Sequence, residues 1–117
     1  MIKVSVYTSD DEYFAYDVEG HANFDELGSD IVCAAISTLA QTTLVALNEV
    51  AEIEEIEFVM LDGVLSVDIP SNLTQKQLYD SQIIFKVFIK GVKGVMDAYP
   101  NYIQLLIKEV ETDVNSI

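Results

Sequence analysis

The chain has 117 residues, enough for one hydrophobic core and too few for two, so residues 1–117 are expected to form a single domain. Twenty acids against six basic residues, all lysine, give a net charge of −14, which excludes direct binding to a nucleic-acid backbone. A single cysteine excludes an internal disulfide. No uninterrupted apolar run of about 18 residues and no basic amino-terminal region are present, so neither a membrane span nor a signal peptide is expected, and the chain reads as cytoplasmic.

Ile2, Val4 and Val6 alternate with Lys3, Ser5 and Tyr7, and Phe14, Tyr16 and Val18 with Tyr13, Ala15 and Asp17, which is the period of half-buried strands around a turn at Ser9-Asp10-Asp11. From about Ser29 to Val50, the spacing of Ile36, Leu39, Ala40, Leu44, Leu47 and Val50 predicts one face of a helix capped by Ser29 or Asp30. The Glu-rich stretch 49–57 reads as an exposed connection. Asp62-Gly63 then marks a hairpin, with Ile56, Phe58 and Met60 expected inside before it and Leu65, Val67 and Ile69 after it. A second helix is predicted from about Thr74 to Ala98, with Leu78, Phe85, Phe88, Ile89, Val92 and Met96 as its core stripe and Pro100 ending it. Tyr102 to Val110 alternates as a last strand. The order ββαββαβ predicts an α+β fold of two layers, a mostly antiparallel sheet with both helices packed on one face.

The chemistry concentrates in Gly20-His21-Ala22 and the run from Gly28 to Ser37, which hold the sole histidine and sole cysteine. A thiol attacks as its anion, and at an unperturbed pKa of about 8.5 only about 3% is ionised at pH 7. Unsatisfied N–H groups in a first helical turn favour an anion by about 0.3–1 kcal/mol when exposed, less than one pKa unit. A local cation is needed as well, and His21 is the side chain that supplies one and later donates its proton. His21 and Cys33 are twelve positions apart, at a strand end and a helix start that can meet on one edge of a sheet. Asp30 either orients the imidazole or caps the helix. The loop Ala22–Gly28, bounded by Gly20 and Gly28 and bearing Phe24 and Leu27, is either a substrate lid or an ordinary connection. A lone cysteine beside the Ile36, Ala40 and Leu44 stripe also has a plain packing role. A metal held by His21, Cys33 and Asp25 or Glu26 would lack any ligand-spacing motif, so no metal or cofactor is expected.

Gly20-His21-Ala22 together with Asp30-Ile31-Val32-Cys33-Ala34-Ala35-Ile36-Ser37 resembles the signature of the ribosomal-processing cysteine proteases, the Prp-type family. The resemblance implies a Cys/His endopeptidase that removes an amino-terminal extension from ribosomal protein twenty-seven of the large subunit. It implies Cys33 as nucleophile and His21 as base, with Asp30 and Ser37 at matching supporting positions, and a homodimer.

A strongly acidic body suits a basic protein substrate such as an extended ribosomal protein, although acidity also serves solubility alone. Ile83 and Val87 project from the second helix away from its core stripe, which makes that face the expected dimer contact. Two other functions remain compatible with the residues: a non-catalytic ribosome-assembly or protein-binding module, which binds without turnover, and thioester hydrolysis or acyl transfer on a small molecule.

Overall fold

The computed structural model describes residues 1–20 and 29–111; of Ser29 and Asp30 it describes the backbone only. Strands β1 (Ile2–Ser9) and β2 (Glu12–Glu19) precede helix α1 (Ser29–Val45), strands β3 (Glu57–Leu61) and β4 (Val64–Asp68), helix α2 (Gln75–Ala98) and strand β5 (Ile103–Glu109). The order is the expected ββαββαβ. The strands lie side by side as β3-β4-β2-β1-β5, antiparallel throughout except for the parallel pair β1 and β5.

Asp10 and Asp11 both adopt positive φ, 52° and 65°, which closes a tight β1–β2 hairpin with the twist of its strands. The pairing slips one residue beyond it: Tyr7 faces Ala15 but Thr8 faces Tyr13, so Phe14 is an added residue in a bulge. The simple alternation expected of Phe14, Tyr16 and Val18 therefore breaks at Phe14. Tyr13 stacks on Phe85 at 5.8 Å, whereas Phe14 meets the Tyr7 ring at 6.4 Å.

The core lies between sheet and helices, where Val4, Val6, Tyr16 and Val67 meet Val32, Ile36, Ala40, Phe85, Phe88 and Val92, all buried. Tyr16 ties the layers together, its hydroxyl donating to the Ala40 carbonyl at 2.7 Å while its ring lies 4.7 Å from that of Phe88. Gly91 permits the two helices to approach closely, because a Cβ there would stand 2.8 Å from a methyl of Leu39. The stretch Ile31–Val50 is long and apolar enough to cross a membrane by length and composition, but Ser37, Gln41 and Thr42 interrupt it and its inner face builds this core.

Three expectations need correction. Ser29 and Asp30 already carry helical backbone at the start of the described part of α1, so neither is the residue before its first turn; what precedes Ser29 lies outside the described residues. Val50 is exposed rather than inside, because the chain continues from α1 into a π-helical turn, Ala46–Val50, that shifts the stripe, and Ala51 and Ile53 take the buried places. Phe58 and Met60 pair with Val67 and Leu65 and so point to the helix side as expected, yet they are 55% and 51% exposed because β3 is the sheet's edge.

Helix α2 starts at a reciprocal capping box. Thr74 Oγ1 accepts from the Gln77 N–H at 3.1 Å and the Gln77 side chain accepts from the Thr74 N–H at 2.9 Å, which satisfies two otherwise orphaned donors. Leu78 and Met96, at the ends of its stripe, are half-buried.

Candidate active site

Helix α1 and the β3–β4 hairpin enclose a groove of about 250 Å³ at the end of the sheet where β2 finishes. Cys33, Ser37 and Gln41 recur every fourth residue and so descend one wall, with Ile36 and Ala40 deeper; Met60 to Leu65 form the other wall, and Ile2, Val18 and Gly20 also line it. Cys33 is a free, half-buried thiol at the fifth residue of α1. Helical side chains lean toward the amino terminus, so this one overlies the first described turn of α1.

Gly20 fixes the neighbouring rim. Its N–H donates to the Gly63 carbonyl at 3.0 Å, which joins the end of β2 to the hairpin turn. Its φ is 130°, and a Cβ there would stand 2.5 Å from the Met1 carbonyl oxygen, so both conformation and space require glycine. The chain thus leaves the sheet toward residue 21 from the groove that holds Cys33.

Of the sequence-predicted site residues, Gly20, Cys33 and Ser37 come together in this groove. Asp30 is on the first turn of α1, its side chain outside the description. His21, Ala22, Phe24, Leu27 and Gly28 lie outside the described residues. Gln41 was not expected at the site; its Nε2 donates to Ser37 Oγ at 2.8 Å, and its i+8 spacing from Cys33 was the available signal. The hairpin wall was also missed, although Asp62-Gly63 was legible as a turn.

Among the described residues lining the groove, Asp62 is the sole charged side chain, so none of them offers Cys33 a cation. A larger cavity of about 440 Å³ lies at the opposite end of the sheet, lined by Tyr13, Phe14, Ile69 and Leu73, and has no thiol. On the sheet face away from the helices, Asp17 accepts hydrogen bonds from Tyr7 at 2.6 Å and from Ser66. The Tyr7 phenol is held above its ordinary range chiefly by the Asp17 bond. Asp68 nearby is raised by burial, and further by the charges of Asp17 and Glu57.

The fold has relatives among solved structures. The protein SMU.848 from Streptococcus mutans is 27% identical, with a TM-score of 0.76 over 94% of this chain and 96% of that one. The ribosomal processing protease Prp from S. aureus, solved in complex with a substrate peptide, is 20% identical, with a TM-score of 0.75 over 92% of this chain and 100% of its own. The same S. aureus protein with a covalently linked product peptide gives 21% and 0.72, over the same shares. Comparison with curated proteins gives no match. The family described as Cysteine protease Prp matches residues 1–104, which spans the groove and every element up to the start of β5. A lone thiol over a helix start, in a groove beside the Gly20 rim, is thus found in a chain that belongs to the cysteine protease Prp family.

Proposed function

We propose that this protein is a cysteine endopeptidase that removes the amino-terminal extension of ribosomal protein twenty-seven of the large subunit during ribosome assembly, using Cys33 as nucleophile and His21 as acid and base. The observation that carries the reading is that Gly20, which precedes His21, lines the same groove as Cys33 in a chain of this family. The S. aureus relative, a ribosomal processing protease solved with a substrate peptide, supports a peptide as the ligand.

In this scheme His21 takes the Cys33 proton and the thiolate attacks the scissile carbonyl. Backbone N–H groups near the start of α1 stabilise the oxyanion. His21 then returns its proton to the leaving amine, a thioester remains on Cys33, and water activated by His21 hydrolyses it to regenerate the thiol. Ser37 and Gln41 line the wall below the thiol, and Asp30 stands at a supporting position of the signature. The chemistry requires no metal or cofactor. The enzyme is read as a cytoplasmic homodimer without direct nucleic-acid contact, its pairing face the outer side of α2, where Ile83 and Val87 are 45% and 64% exposed.

The test is incubation with the extended ribosomal protein and intact-mass measurement. Wild type should shorten the substrate, and Cys33→Ala should bind it without cutting. Wild-type turnover by Cys33→Ala overturns the mechanism. Binding without turnover by the wild type itself favours a non-catalytic assembly module.

A further inference from the structure

Soluble proteins shield the edge strands of their sheets with lysine, proline, a bulge or a covering element, because a bare row of N–H and C=O groups is a template for another chain. Strand β3 has none of the sequence devices. It runs Glu57-Phe58-Val59-Met60-Leu61, pairs with β4 in unbroken register and, among the described residues, has no strand on its other side. Phe58, Val59, Met60 and Leu61 are each at least half exposed, with Leu61 at 67%. Four large apolar side chains in succession, shown on both faces of an unpaired edge, are a surface built for contact.

Two observations choose the occupant. Met60 and Leu61 belong to the wall of the Cys33 groove, so a strand laid along β3 runs beside the thiol's groove. The apolar run is also bracketed by charge of one sign, Glu54, Glu55 and Glu57 before it and Asp62 after it, all exposed and none in an ion pair among the described residues. A second copy pairing antiparallel along β3 would bring Glu57 of each copy toward the Asp62 end of the other, like charge against like. A peptide with basic residues around an apolar centre meets no such opposition.

We infer that β3 is a docking strand, to which an extended peptide with an apolar centre and basic flanks adds as a sixth strand and is thereby led to the Cys33 groove. The affinity comes from main-chain hydrogen bonds and the selection from alternate side chains, as in other cases of strand addition. This rests on the reading of the groove as a peptide-cleaving site, and assigns how the substrate is held there.

The experiment uses the Cys33→Ala protein, so that nothing is consumed, and a labelled synthetic peptide in which leucine alternates with threonine between terminal lysine pairs. Binding is followed by fluorescence anisotropy. N-methylation of alternate peptide residues in one phase removes the donors that face β3 and should weaken binding about tenfold or more, while methylation in the other phase leaves it within about twofold. Glu57→Lys with Asp62→Lys should weaken the unmethylated peptide about tenfold or more, through lost attraction and added repulsion. Equal effects of the two phases, unchanged binding by the charge variant, or a dimer that Met60→Lys converts to a monomer would each overturn the inference. The two readings fail separately. If the wild-type protein leaves the ribosomal protein uncut while phase-dependent binding persists, the processing reading falls and strand addition stands; if it cuts while the phases act alike, the reverse holds.

Discussion

The Gly20 N–H and the Gly63 carbonyl are 3.0 Å apart, and this one bond joins the strand end before His21 to the turn that walls the Cys33 groove. Gly20→Ala forces a side chain into a φ of 130° and against the Met1 carbonyl. The expected cost is about 1–3 kcal/mol of stability. Because the departure of the chain toward His21 shifts with it, kcat should fall by roughly tenfold or more. Thermal melting and single-turnover cleavage measure the two effects, and wild-type values in both would remove Gly20 from the account.

His21 should set the acid limb of the rate. The imidazole must accept a proton before the thiolate forms, so kcat/KM should rise as pH increases through the usual histidine range near about 6.5. His21→Ala should leave a very low rate without that limb. A flat wild-type profile between about pH 5 and about pH 9 on a natural peptide contradicts the assignment.

Asp68 offers a pH effect that is independent of catalysis. Burial and its acidic neighbours raise its folded pKa, so the folded state binds this proton more tightly than the unfolded chain does. Its stabilising contribution is present when Asp68 is protonated and is lost as pH rises through the raised pKa. Asp68→Asn should therefore be more stable than wild type near neutrality, with the difference shrinking toward acid. Urea denaturation at both pH extremes decides it, and an equal difference at both would exclude Asp68 as its source.

A net charge of −14 should steer a basic substrate toward the protein. Raising salt from about 50 to about 500 mM shortens the screening distance, and so should slow association far more than it speeds dissociation. Stopped-flow rates that change equally in both directions would remove long-range charge from recognition.

On α2, Ile83→Glu with Val87→Glu should give a folded monomer, since both side chains stand outside the core. Light scattering that finds the wild type monomeric, or the double variant still dimeric, excludes this face as the interface.

Local signals carried most of the fold. The helix start near Thr74, the Asp62-Gly63 turn and the period of Phe85, Phe88, Ile89 and Val92 are written within a few residues of chain, and the corresponding elements formed as expected. Exposure of Phe58 and Met60 was not legible, because alternation reveals which face a side chain takes but not whether its strand lies at the edge. The Phe14 bulge was hidden for a related reason: one added residue leaves apolar content unchanged while reversing its phase. At the site, Cys33 stood out as the sole thiol. The opposite wall did not, because Gly63 reaches Gly20 only through the pairing of β2 with β4, for which no local pattern exists.

The parallel ladder of β1 and β5, Ile2 beside Ile103 through Thr8 beside Glu109, joins the first described strand to the last. Such distant partners close a loop of nearly the whole chain, so their pairing is slow and follows the more local hairpins. On this side β1 therefore pairs only once β5 has been made. The lining of the Cys33 groove comes from β1, β2, α1 and the β3–β4 hairpin, all earlier in the chain than β5. Among the described residues, β5 thus completes the β1 edge of the sheet without lining the cleft.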